Sequence, residues 1–162
     1  MLILGIDPGM GTTGYGLIEV EGSKLKALGH GVIRTKTGLD TANRLSILHK
    51  ELVGLIEASS PQVIAVEQLF FNTNVTTALM VGQARGVILL TAAERSIPLA
   101  EYTPLQVKQT VTGHGRATKQ QVGFMVKALL GLEGIPRPDD AADALAIAIC
   151  HAHMGQSYVN RL

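Results

Sequence analysis

Residues 5–16 read GIDPGMGTTGYG, and the reading of this stretch decides the fold. Gly9-Met10-Gly11-Thr12-Thr13-Gly14 is a literal G-x-G-x-x-G, the spacing of a dinucleotide-binding loop. That fingerprint requires a helix to open directly behind the glycines, because the helix N-terminus carries the pyrophosphate. Here Tyr15-Gly16-Leu17-Ile18-Glu19-Val20 follows, which reads as a strand. A phosphate loop of the G-x-x-x-x-G-K type fails as well, since Tyr15 stands where the lysine must be. The glycines therefore predict a tight hairpin that keeps side-chain bulk away from a ligand near Asp7. Asp7 itself closes the apolar run 2–6, so its carboxylate falls at the C-terminal end of a buried strand, the edge where sheets of this kind bind ligands.

Working outward, residues 2–7, 15–20 and 24–34 predict a three-strand meander with Glu21-Gly22-Ser23 as its second turn. Helical periodicity then takes over. Asp40 or Thr41 caps a helix running to about 58, with Leu45, Leu48, Leu52, Leu55 and Ile56 on one stripe. A short buried strand, 63–66, stops at Glu67, and a loop over 69–73 leads into a helix over about 74–95 rich in small residues. A fifth strand follows at 99–102, and Thr103-Pro104 opens a short helix to about 111. Two more helices are expected, 118–130 closed by Gly131 and about 140–154. Strands first in a meander and then alternating with helices predict an α/β fold, a mixed five-stranded sheet with helices on both faces, as one domain over 1–162.

Composition narrows the function classes. Of the 162 residues, 46% are hydrophobic and 17% charged, which supports a packed core and argues against disorder. Residues 2–6 are too short and lack the basic leader of a signal peptide, and no apolar run reaches the roughly 18 residues of a membrane span. The one cysteine, Cys150, excludes an internal disulfide and fits a reducing, cytoplasmic setting. Net charge is only +1, but its distribution is uneven. Residues 22–50 carry Lys24, Lys26, Arg34, Lys36, Arg44 and Lys50 against Asp40, and residues 103–138 carry Lys108, Arg116, Lys119, Lys127 and Arg137 against Glu133. Basic segments around an acidic cluster suit a metal-dependent enzyme acting on a polyanion, although from charge alone ordinary solvated surface is the better account.

The acids supply the sharper signal. Glu67 has the same placement as Asp7, directly after a buried strand. If the two strands are parallel neighbours, the carboxylates lie side by side, and their repulsion calls for a cation between them. Asp140 and Asp143 stand three apart on one face of a helix that is otherwise nearly all alanine, leucine and isoleucine. Capping accounts for an acid at Asp139 or Asp140 but not for Asp143 in the second turn. Four acids without a histidine–cysteine set fit hard divalent ions such as Mg²⁺ or Mn²⁺, and two such ions are the usual device for phosphodiester cleavage.

The blocks GIDPGMGTTGYG, VEQLFF, GQARGV, VKQTVTG and DDAADALAIAICHAH, in this order from residue 5 to 153, resemble those of the RuvC family of bacterial Holliday junction resolvases. The resemblance implies a ribonuclease-H-like fold, a homodimer that nicks opposed strands of a four-way DNA junction symmetrically, 5′-phosphate ends, and coupling to the branch-migration proteins RuvA and RuvB in recombination and repair. It implies two Mg²⁺ per subunit, with Mn²⁺ able to substitute, held by Asp7, Glu67, Asp140 and Asp143. Asp140, not Asp139, falls in the family register. By the same resemblance Phe70 stacks on an unpaired base, Lys108 and Lys119 neutralise scissile-strand phosphates, and Lys119 also serves catalysis. Arg116 and Arg85 are further candidates for backbone contacts, with surface or interhelix pairing as the alternative. Other readings are a YqgF-type nuclease of the same fold and a junction-binding module without catalysis. An actin-like ATPase shares the first-strand aspartate and glycine hairpin, but it needs a second such domain.

Overall fold

The computed structural model describes residues 1–68 and 74–159, with the backbone alone described for 156–159. Ten elements run in the order β1 (Leu2–Asp7), β2 (Thr12–Glu21), β3 (Lys24–Arg34), α1 (Thr41–Ser59), β4 (Val63–Glu67), α2 (Val75–Glu94), β5 (Leu99–Tyr102), α3 (Pro104–Thr112), α4 (Lys119–Leu130) and α5 (Asp139–Val159). They build a five-stranded sheet in the order β3-β2-β1-β4-β5. The meander β1-β2-β3 is antiparallel, whereas β1, β4 and β5 run parallel. The expected mixed sheet with helices on both faces is therefore observed.

Helix starts follow local chemistry. Asp40, Asn74, Thr103 and Thr118 cap α1 to α4, each accepting from a backbone N–H three residues on. Thr103 with Gln106 and Thr118 with Gln121 make reciprocal capping boxes, so the start of α4 at Lys119 is fixed by its own sequence. Gly113 and Gly131 close α3 and α4 in the left-handed conformation, where a Cβ would be strained. The last helix is longer than expected at both ends and includes Asp139. The loop expected over 69–73 lies outside the described residues.

Alternation along β1 assigns the two faces of the sheet. Leu4 and Ile6 join Ile64 and Val66 against Leu48, Leu52 and Ile56 of α1 and Ala84 and Ile88 of α2. Ile3, with Val63 and Ala65, packs against α3, α4 and α5 through Val107, Val126, Leu145 and Ile149. Asp7 is in phase with Ile3 and Gly5, so it points to the α5 side.

The glycines of the opening stretch have a different role from the expected one. β2 begins at Thr12, three residues before the expected start, and Gly14 pairs with Asp7 inside the ladder. Only Gly9 and Gly11 belong to the turn. A Cβ on Gly14 would stand 2.0 Å from the Asp140 carbonyl oxygen, and one on Gly5 would stand 2.1 Å from that of Ala144. Gly16 faces the Leu145 side chain at 2.7 Å and its backbone nitrogen at 2.9 Å. These glycines make room for the backbone of α5, not for a ligand. The space they leave is what brings the helix acids down onto the sheet.

Candidate active site

Parallel pairing sets Ile6 opposite Val66. One step further along the same register, Asp7 and Glu67 close adjacent strands on the same face. From above, α5 brings Asp140 and Asp143, three residues apart on one helical face. Asp7, Asp140 and Asp143 each offer an oxygen within 4.8 Å of the other two. Glu67 stands outside that tight group but lines the same cavity of about 290 Å³. Lys108 of α3 and Lys119, the first residue of α4, form its basic wall. Asp139 lies outside both the tight group and the cavity lining: it is exposed and pairs with Arg137 at 3.2 Å.

The electrostatics match the geometry. Burial, then the charges of Glu67, Asp143 and Asp140, push Asp7 up to about 8. Glu67 and Asp143 are raised as well, first by burial. Lys119 Nζ donates to Asp143 Oδ2 at 3.2 Å, which offsets part of the repulsion and raises the lysine's own proton affinity. Two lysines facing four crowded carboxylates leave the pocket short of positive charge. An all-oxygen donor set of this kind fits hard divalent cations, and no sulfur or imidazole ligand joins it among the described residues.

The remaining candidates are dispersed. Arg116 is exposed on the loop before α4, its backbone N–H donating to His114 Nδ1 at 3.0 Å. Arg85 does not reach the acid cavity. It pairs with Glu101, whose strand partner Val66 faces α1 and α2, on the sheet face opposite the acids. The alternative of an intramolecular pair, open from the sequence, is thus the observed state of Arg85. Phe70 lies outside the described residues. His151 is held by Tyr102 Oη at 2.6 Å, within the fold and not at the cavity. Sequence reading missed the apolar part of the wall, Val107, Val122 and Ala146. Helical spacing carried the signal, because Val122 follows Lys119 and Ala146 follows Asp143 by three residues.

A mixed sheet with acids closing its two central strands, and a helix laying further acids over them, defines a ribonuclease-H-like protein. The family model for crossover junction endodeoxyribonuclease RuvC matches residues 3–151. The chain belongs to the RuvC family. It is 54% identical over 162 residues to crossover junction endodeoxyribonuclease RuvC of Desulforamulus reducens, covering 100% of this chain and 99% of that protein. The structure of Thermus thermophilus RuvC superposes with a TM-score of 0.90 at 38% identity, covering 98% of this chain and 97% of that one. The same protein in complex with a Holliday junction substrate gives 0.92 at 37% identity, covering 98% and 96%.

Proposed function

We propose that the protein is a crossover junction endodeoxyribonuclease that resolves four-way DNA junctions in recombination and repair by paired symmetric nicks. The observation that carries this is the convergence of Asp7, Asp140 and Asp143 within 4.8 Å, with Glu67 on the same cavity, in a chain of the RuvC family. Filled motif positions speak against a binding module without catalysis.

Asp7, Glu67, Asp140 and Asp143 are the residues to hold two Mg²⁺ ions, or Mn²⁺ in their place. A divalent ion bound to these carboxylates would supply Lewis acidity to the phosphodiester hydrolysis. The chain's own part is positional. Asp7 and Glu67 are fixed by sheet register, and Asp140 and Asp143 by a helix packed directly on glycine. Lys119 orients Asp143 and favours its ionised form against the burial that opposes it, and its exposed ammonium meets the charge that builds on the phosphate in the transition state. Lys108 neutralises a neighbouring phosphate, and Arg116 extends that contact along the backbone. Base stacking is assigned to Phe70 from sequence alone.

A homodimer fits the outer surface of α2. Val75, Leu79 and Leu90 are 80%, 62% and 56% exposed, and with Gln83 and Gly86 they form one uncharged stripe at helical spacing. A second copy of this chain covers that stripe and sets two acid cavities on one junction. Handover from RuvA and RuvB, a cytoplasmic location and a single nuclease domain over 1–162 complete the proposal.

The test is cleavage of a synthetic four-way junction with Mg²⁺. Symmetric, ligatable nicks are expected, and Asp7→Asn or Glu67→Gln abolishes them while junction binding persists. ATP hydrolysis, or equal cutting of linear duplex, would overturn the reading.

A further inference from the structure

One basic segment, 22–50, has no part in the site as described, although it carries six cations against one acid. Within it, Arg44 is singular. It sits in the first turn of α1 and is half-buried. Its Nε donates to Thr35 Oγ1 at 3.0 Å. That hydroxyl donates in turn to the Met10 carbonyl, and the Thr35 N–H donates to the carbonyl of Gly11. One Nη nitrogen lies 3.5 Å from where a Cβ of Gly11 would stand. A short network thus ties the guanidinium to the turn 8–11, which begins at the residue after Asp7.

The charge of this arginine is unanswered. Arg85, Arg95 and Arg137 are also held through their side chains, and each bonds a carboxylate. Arg44 bonds a neutral hydroxyl and makes no ion pair among the described residues. The acid closest to it in sequence, Asp40, is occupied: its two carboxylate oxygens accept from the backbone N–H and the side-chain amide of Asn43. Flanking Thr35 are Arg34 and Lys36, both exposed and both cationic. A cation partly withdrawn from water and left without an internal counter-charge is unfavourable unless an external anion completes it. A guanidinium held through Nε still presents its terminal N–H groups, which suit two phosphate oxygens.

We propose that Arg44 is a DNA-backbone contact, taking a phosphate of the cleaved strand at the β1–β2 hairpin, on the side of the acid cavity away from Lys108 and Lys119. The inference rests on the junction-resolving function proposed above. It gives the two basic segments of the sequence one purpose. Lys108 and Lys119 belong to helices packed on the α5 face of the sheet, and Arg44 reaches the same edge from α1 on the other face. A strand crossing the ends of β1 and β4 then meets cations on both sides of the acids.

The experiment is binding of a labelled four-way junction in EDTA over a series of KCl concentrations, with Tm measured in parallel. Loss of one phosphate contact lowers the slope of log K against log salt by about 1. Arg44→Gln is expected to show that loss at unchanged Tm, and Arg44→Lys to retain the slope but bind more weakly, because a point charge replaces the fork. Full slope in a folded Arg44→Gln protein overturns the inference and makes Arg44 a brace for the hairpin. If Arg44→Gln does not fold, Arg44→Lys decides: a drop of about tenfold in junction affinity supports the phosphate contact, and unchanged affinity overturns it. Wild-type protein that prefers no junction over linear duplex overturns the resolvase reading instead, whatever Arg44 does.

Discussion

Asp7 is where opposing demands meet. Its carboxyl is driven up to about 8 by burial and by three neighbouring acids, so in the metal-free protein it holds its proton through most of the range where the unfolded chain does not. Between the ordinary carboxylate value of 3.8 and about 8, the folded state binds one proton more than the unfolded state, and stability falls as pH rises. Glu67 and Asp143 are displaced in the same direction. Melting measured in EDTA from pH 5 to pH 8 is therefore expected to show a declining Tm. Asp7→Asn should flatten the decline and raise Tm at pH 8 by about 2–4 °C for each kcal/mol of relieved repulsion. A variant that melts below wild type at pH 8 would contradict this account. If the cluster holds Mg²⁺ as proposed, the ion should recover the lost stability, most at the alkaline end, where the native carboxylates are ionised. Lys119→Gln removes the ammonium that pairs with Asp143 and, in the proposed function, a charge aimed at the scissile phosphate. Its kcat for junction cleavage should fall on the order of 10²-fold, the scale for one lost electrostatic donor, with little change in junction affinity.

At the scale of elements, the approach of α5 to the sheet decides whether a site exists. Gly14→Ala would put a methyl carbon 2.0 Å from the Asp140 carbonyl, against backbone that cannot rotate away. The helix must lift, separating Asp140 and Asp143 from Asp7. Loss of about 1–3 kcal/mol is expected from overpacking, measured by urea denaturation, together with loss of cleavage. Gly29→Ala, with open space around its Cβ position, is the control and should keep full cleavage. Local signals announced several element boundaries: the caps Asp40 and Thr103, and the terminator Gly131. The start of β2 was not legible, because Thr12-Thr13-Gly14 reads as turn. It becomes strand through pairing with β1 and β3.

For the whole molecule, the stripe on α2 makes a separate demand. Leu79→Glu places charge at the centre of an exposed uncharged surface. In sedimentation the variant should run as a monomer while wild type runs as a dimer, and it should still melt cooperatively, since Leu79 is 62% exposed and belongs to neither core cluster among the described residues. A dimer that survives the substitution would move the interface elsewhere.

Sequence by itself determined the candidate acids and their placement on elements: two acids closing buried strands, and two more spaced for one face of an apolar helix. It also excluded the nucleotide loop, because a strand follows the glycines. Those conclusions depend on neighbours a few residues away, which a linear chain displays. Tertiary structure decided which acids meet. Asp7 and Glu67 are sixty residues apart and become adjacent only through parallel register. Asp140 joins the cluster while Asp139, its immediate neighbour, turns to Arg137. The purpose of Gly5, Gly14 and Gly16 was likewise invisible in the chain. A glycine records that space is needed, and only the packed helix reveals what fills it.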